Sequence, residues 1–365
     1  MVDNLSIVWY NGKRKVGECT VAQFYDGTKL LSMKDLDGMT PEIFMCTTNR
    51  TGGKTVYFSR LCVNRYKRGM GKFMITYRFN YELDDCANKF FKDINNLFFK
   101  GDIMTNKRKA AGIYHELFLN GESCGYAVSL NSADQLKKSA HLFSDVGCML
   151  FDEFQSETNH YCNDEINKLI SIHTSVARGG GEQVRYVPIY MCANPVSILN
   201  PYYVELDISN RLKDDTKFLK GHGFVLEQGF VESASVAQKE SGFNRAFANN
   251  KYVAYSAECV YLNDNQSFIE KLDGGGRYLA TLRYKGVDYA LREYADEGII
   301  YCDDHADKTY RERITVTTDD HNVNYVMLRR NDMFLGNMRF YFERGCFRFK
   351  NLQCKEAVLK ALAYY

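Results

Sequence analysis

The stretch "VGCMLFDEF" (146–154) runs apolar side chains together without alternation and then meets two acids. A strand with one wet face alternates polar and apolar residues, so an unbroken run points to a strand covered on both faces, as in a parallel sheet. A second run of this kind, "YVPIYMCAN", comes after a helix-like segment ("NDEINKLISIHTSVA") and a glycine-rich loop. Upstream, "EIFMC" reads as a strand, "KTVYFSRLCVNRYKRG" as a helix and "KFMITYRF" as a strand again, followed by the charged helical stretch "YELDDCANKFFKDINNLFF". Strands alternating with helices predict an α/β domain built on a largely parallel sheet. "MTNKRKAAG" reads as a basic loop, and Asn120-Gly121 between alternating apolar residues signals a hairpin.

Past Asn200 the texture changes. The stretch to about residue 255 offers no long buried strand. Short strands with tight turns then recur ("GRYLATLRYKGVDYALREY", "EGIIYCDD", "RITVTT", "YVMLRR", "RFYFERGCFRFKN"), and "CKEAVLKALAYY" reads as a closing helix. At 365 residues the chain has room for more than one core. The expected division is an α/β domain over 1–230, a small linker segment over 231–258 and an α+β domain over 259–365.

Composition narrows the class. No apolar run approaches the roughly 18 residues that span a bilayer, and the first residues lack a signal-peptide core, so neither membrane insertion nor export is expected. The 12 cysteines never form C-x-x-C and many lie within apolar runs, which fits reduced core residues better than a zinc site. A formal net charge of +2 leaves any polyanion site to a local patch. One candidate patch is the tail: Arg339, Arg344, Arg348 and Lys350 interleave with aromatics in "MRFYFERGCFRFKN". That composition suits phosphate contacts and stacking on bases or sugars, and equally a strand pair with one solvated basic face.

The chemistry centres on "CTTNRTGGKT". Gly53, Lys54 and Thr55 form the tail of the G-x-x-x-x-G-K-[ST] pattern, although Thr48 stands where its first glycine would be. The motif follows an apolar strand and opens a helix, where backbone N–H groups can wrap a pyrophosphate. Thr48, Asn49, Arg50, Thr51, Gly52 and Gly53 would form the loop, Lys54 would reach the outer phosphates of ATP, and Thr55 would ligate Mg²⁺. Alone, the tripeptide is also compatible with a plain strand–turn–helix bearing an exposed lysine. The acids ending "CMLFDE" weigh against that. Asp152 at the end of a buried strand can hold Mg²⁺ through water, and Glu153 can polarise an attacking water. Asn194, ending the next buried strand, would lie near the γ-phosphate and report hydrolysis, or else cap the turn before Pro195.

Arg50 within "NRTGGKT", together with "MLFDEFQSE", "CANPVSILNPYY", "VTTDDHNVNYVML" and "RGCFRFKN", resembles in order the DNA-packaging (encapsidation) ATPases of phi-29-type podoviruses. The resemblance implies an ASCE-class P-loop ATPase domain, a linker, and a C-terminal domain like a degenerate RNase H nuclease without cleavage activity. It also implies a homopentameric ring at the portal vertex of an empty capsid, acting on double-stranded DNA in the host cytoplasm, with a structural RNA as a further partner. A capsid or RNA partner is the competing reading of the basic tail. Carried onto this sequence, Lys54 and Thr55 fall on the Walker A pair, Asp152 and Glu153 on Walker B, and Asn194 on the coupling position. The family's arginine finger lies a little before the Asn194 strand, where "SVARGGGEQVR" offers Arg178 and Arg185. Arg178, ahead of three glycines, is the favoured one. A further basic residue expected after the second strand falls on Arg78. Other ring ATPases such as helicases, and a non-hydrolysing P-loop protein that binds nucleic acid, are the competing functions.

Overall fold

The computed structural model describes residues 23–179, 181–212, 216–262, 264, 267–272, 275–329 and 332–363. The chain divides into two compact units, with the boundary between residues 263 and 264. In chain order the first contains α1 (Thr28–Ser32), β1 (Ile43–Thr47), α2 (Lys54–Lys67), β2 (Lys72–Tyr77), α3 (Asn80–Phe98), β3 (Met104–Lys109), β4 (Tyr114–Leu119), β5 (Glu122–Ser129), α4 (Ala133–Lys138), β6 (Val146–Asp152), α5 (Glu165–Val176), β7 (Ile189–Ala193), α6 (Pro201–Glu205), α7 (Ile208–Arg211), β8 (Phe218–Gly221), β9 (Phe224–Gln228), α8 (Glu232–Glu240), α9 (Gly242–Ala246) and α10 (Lys251–Glu258).

Its nine-stranded sheet has the order β3-β4-β5-β2-β6-β7-β1-β9-β8. From β5 to β9 all neighbours run parallel, and antiparallel hairpins close both edges. The unbroken apolar runs are explained by burial on both faces. Along β1, Met45 joins one core while Phe44 and Cys46 join the other. Phe58 and Cys62 of α2, with Leu83, Ala87, Phe91 and Ile94 of α3, pack in the second core, and Ile172 and Val176 of α5 in the first. The helical periodicity of those three segments thus matches a sheet face. The Leu, Ile, Val and Phe side chains among them each contribute about 1.5–3 kcal/mol on burial. The Asn120-Gly121 hairpin joins β4 to β5 with both residues in the left-handed region (φ 54 and 86), as a type I′ turn requires.

In this unit three segments differ from the sequence expectation. Most of the "MTNKRKAAG" loop is a strand, β3, whose backbone is tied to β4 while its basic side chains alternate at the sheet edge. The stretch after Asn200 does hold a buried strand. β9 pairs with β1, so the P-loop strand is interior to the sheet. Glu227 disguised it. This buried carboxyl interrupts the apolar run and is satisfied by the Tyr25 hydroxyl, which donates to it at 2.7 Å. Residues 231–258, expected as a connecting segment, form α8–α10 within the first unit. Asn49 exchanges hydrogen bonds with both backbone groups of Val231, and the Arg50 N–H donates to the Ser256 carbonyl.

The second unit contains β10 (Arg277–Tyr284), β11 (Val287–Tyr294), β12 (Ile299–Asp303), β13 (Arg313–Thr315), β14 (Val326–Met327), α11 (Met333–Glu343), β15 (Phe347–Phe349) and α12 (Leu352–Leu362). The sheet order is β14-β13-β10-β11-β12-β15, an antiparallel meander (β10–β12) continued at both sides by parallel strands. Cys354, Ala357, Val358 and Ala361 of α12 share its core with Leu282 and Leu291. "RFYFERGCFRFKN" is not a strand pair. Its first half is the end of α11, which buries Leu335 and Met338 and is capped by the Asp332 side chain; the chain turns at Gly345 (φ 74) into β15.

Candidate active site

The parallel register brings the carboxyl ends of β1, β7 and β6 to one edge, with Thr47 opposite Ala193 and Asp152 opposite Cys192. Loops leaving this edge form the site, as expected at the strand ends of an open α/β sheet. The loop 48–53 opens α2, whose first-turn N–H groups have no intrahelical partner and can receive anionic oxygens. Gly53 lies in the left-handed region (φ 91) with Phe24 packed near its Cα. Thr48 is not among the positive-φ residues, so this loop asks for no glycine there. It is fully buried, and its hydroxyl donates to the Asn49 carbonyl at 3.0 Å. Thr51, at φ 60, takes a left-handed position.

Lys54, Thr55, Asp152, Glu153 and Asn194 converge beside this loop. The Lys54 ammonium donates to Asn194 Oδ1 at 2.5 Å, and the Thr55 hydroxyl to Asp152 Oδ1 at 3.2 Å. A hydroxyl and a carboxylate oxygen at this spacing form a hard-oxygen pair, the donor set that Mg²⁺ prefers. Glu153 follows in the left-handed region (φ 56), which throws its side chain off the strand line. Partial desolvation, then the carboxylates of Asp152 and Glu157, raise its pKa above that of an ordinary glutamate, against Arg50 and Lys54. Its turn is braced from behind. Buried Arg78 pairs with Glu165 (2.9 Å) and donates to the carbonyls of Glu153 (3.2 Å) and Phe154 (2.9 Å). A cavity of about 400 Å³ opens beside the loop, lined among others by Phe24, Thr55, Tyr57, Arg60 and Phe98.

Several contributors were not singled out in the sequence. Gln155 accepts the N–H groups of Val196 and Ser197, tying the β6 loop to the loop after Asn194. Glu157 takes the Arg50 guanidinium at 2.6 Å and the hydroxyls of Tyr255 (2.7 Å) and Tyr252 (3.2 Å). Both residues lie in the quoted "MLFDEFQSE", but nothing in the linear order pairs them with residues so far along the chain.

A family model described as "Podovirus DNA encapsidation protein (Gp16)" matches residues 21–363. The chain belongs to that Gp16 family. Among its relatives is the DNA packaging protein of Bacillus phage phi29, 24% identical over 321 residues, covering 86% of this chain and 89% of the relative. The corresponding protein of Bacillus phage B103 is 22% identical over 304 residues, covering 82% and 89%. In structure the chain resembles one from the bacteriophage Phi-29 viral genome packaging motor assembly, with TM-score 0.66, 23% identity and coverage of 94% and 98%. It also resembles one from the Phi-28 gp11 DNA packaging motor, with TM-score 0.56, 15% identity and coverage of 93% and 97%. These likenesses extend the Gp16 fold over both units.

Within this chain the two finger candidates differ. Arg185 donates to the carbonyls of Val176 (2.7 Å) and Val146 (3.2 Å), whereas Arg178 is exposed and contacts the Thr174 carbonyl of its own helix at 3.3 Å. Both lie toward the start of β6, at the sheet edge away from Asp152. Seven residues of strand separate the ends, about 20 Å at ~3.3 Å per residue, so neither reaches the loop 48–53 of its own chain. Arg78, buried in its ion pair, is a brace and not a mobile finger.

In the second unit, the Arg283 guanidinium reaches both Asp288 (3.2 Å) and Asp320 (3.8 Å). Asp303 pairs with Arg292 (2.8 Å) and Asp304 with Lys350 (2.5 Å). Asp303 and Asp320 are therefore buried and engaged. The tail basics do not form one set. Arg339 pairs with Glu343, Arg348 with Glu270 and Lys350 with Asp304, while exposed Arg344 lies over the Phe340 ring.

Proposed function

We propose that this chain is an ATP-driven translocase that packages double-stranded DNA into an empty phage capsid. The observation that carries the reading is the convergence of Lys54, Thr55, Asp152, Glu153 and Asn194 at one sheet edge. ATP would lie with its phosphates on the loop 48–53 and the start of α2. The aromatic walls of the neighbouring cavity suit a purine. Thr55 and Asp152 would hold Mg²⁺, which neutralises phosphate charge. Glu153 would orient and deprotonate the attacking water, and Lys54 would leave Asn194 for the outer phosphates.

Arg178 would complete the cradle of a neighbouring subunit in a homopentameric ring at the portal vertex, in the infected host's cytoplasm. No cleavage activity is expected, because Arg283, Arg292 and Lys350 supply the positive charge among the carboxylates where a nuclease would place metal ions. Of the four tail residues, Arg339 and Arg344 are the best DNA contacts, because they are exposed whereas Arg348 and Lys350 are themselves half-buried.

The deciding experiment is ATP turnover by the purified chain with and without duplex DNA, beside Glu153→Gln. Stimulation by DNA in the wild type and none in the variant is expected. Turnover indifferent to both would end the reading.

A further inference from the structure

The mechanism above leaves one group of side chains unused. Glu157 Oε1 accepts hydrogen bonds from three donors on three separate segments: Arg50 of the P-loop (2.6 Å), Asn194 after β7 (3.4 Å) and Tyr255 of α10 (2.7 Å). Its other oxygen accepts from Tyr252, one helical turn before Tyr255 (3.2 Å). Both tyrosine rings flank the Arg50 guanidinium, at 5.4 and 6.0 Å. Burial by itself would raise the Glu157 carboxyl, but the Tyr255 hydroxyl and the Arg50 charge outweigh it, so the group is held ionised below the ordinary glutamate range. The amide of Asn194 is oriented by the same contact. With its NH₂ toward Glu157, its oxygen faces Lys54.

An unbroken chain of hydrogen bonds therefore runs from Lys54 through Asn194 and Glu157 to Tyr255. We propose that Glu157 is a positioning residue that passes the nucleotide state of the P-loop to α10, the last helix of the first unit. The proposal rests on the ATP reading above.

The physical basis is competition between anions. A triphosphate on the loop 48–53 attracts the same two cations, Lys54 and Arg50, that now serve the Asn194–Glu157 pair. As they turn toward phosphate, Glu157 loses the Arg50 charge, and the hold of Tyr252 and Tyr255 on it changes. The backbone bond from the Arg50 N–H to Ser256 gives α10 a second tie to the same loop (3.0 Å). A helix of eight residues has few bonds of its own to resist such a change. Two arrangements of one hydrogen-bonded element, each favoured by a different ligand state, satisfy the physical condition for coupling.

The test is amide hydrogen exchange over 251–258 in the full chain, with ATP trapped by Glu153→Gln, and ATP binding followed separately with a labelled nucleotide. Exchange in the Glu153→Gln parent should change about threefold or more on ATP binding. Adding Tyr255→Phe, which removes one hydroxyl from a buried ring, should abolish that response while ATP affinity stays within about twofold. Adding Glu157→Gln should likewise abolish the response, with ATP binding tightened because the carboxylate that competes for Arg50 is neutralised, and thermal melts of both establish that the chain remains folded. An α10 response as large in both variants as in the parent overturns the relay. So does a parent that binds ATP with no change in α10. Failure of the parent to bind ATP at all would instead remove the nucleotide reading on which the relay stands.

Discussion

Two acidic residues separate the chemistry of the site from its architecture. Glu153 is left at the surface end of β6 by a left-handed turn, yet its turn is fixed by Arg78 from below. Glu153→Gln keeps the shape and removes the proposed base, so hydrolysis should fall by about 10²-fold or more with nucleotide affinity nearly unchanged. Lys54→Ala should instead weaken nucleotide binding, measured by titration with a labelled ATP. Glu227 is buried in β9, and burial raises its pKa against the Tyr25 hydroxyl and nearby lysines. A carboxyl with a raised folded-state pKa adds stability at low pH, and that stability is lost as pH rises from the unfolded value through the folded one. Glu227→Gln should therefore melt higher than wild type at neutral pH, and the gap should close on acidification below about pH 4. A constant gap across pH would show that charge is not its source.

At the scale of elements, α5 and the loop after it carry two arginines with opposite duties. Arg185→Ala strips donors from the carbonyls of Val146 and Val176 and should cost about 1–3 kcal/mol in a denaturant melt. Arg178→Ala removes one exposed side chain and should leave the melt within about 0.5 kcal/mol while abolishing turnover in the ring. An equal mixture of Arg178→Ala and Glu153→Gln should regain part of the activity, because some interfaces then join an intact glutamate to an intact arginine. No recovery at any ratio, with rings still forming, would place the finger elsewhere.

Over the whole molecule, the proposed DNA contacts lie in the tail of the second unit. If Arg339 and Arg344 touch phosphates, their joint replacement by alanine should make the log–log dependence of duplex affinity on salt shallower by about two, at ~0.9 per phosphate. All sequences should weaken alike, since phosphate contacts carry no base information. An unchanged slope with lost docking to empty capsids would assign these arginines to a capsid or RNA partner, and would move the DNA contacts to the β3 edge carrying Lys107, Arg108 and Lys109.

What could be read from the sequence was whatever is encoded locally. The apolar runs of β6 and β7 imply burial on two faces, and "TGGKT" between a strand and a helix implies a turn with free N–H groups; both are properties of a few adjacent residues. The same is true of the Asn120-Gly121 hairpin. Where local signals conflicted, the reading failed. β9 hides a carboxyl that only the distant Tyr25 satisfies, and α11 alternates aromatics like a strand until Leu335 and Met338 find a core. Only the tertiary structure decided that Glu157 meets Arg50, Asn194 and Tyr255, that Arg78 is a brace, and that Arg185 is spoken for while Arg178 is exposed. Each of these depends on register between strands far apart in the chain, and a hydrogen bond has no sequence signature until folding brings its donor and acceptor within 3 Å or so of each other.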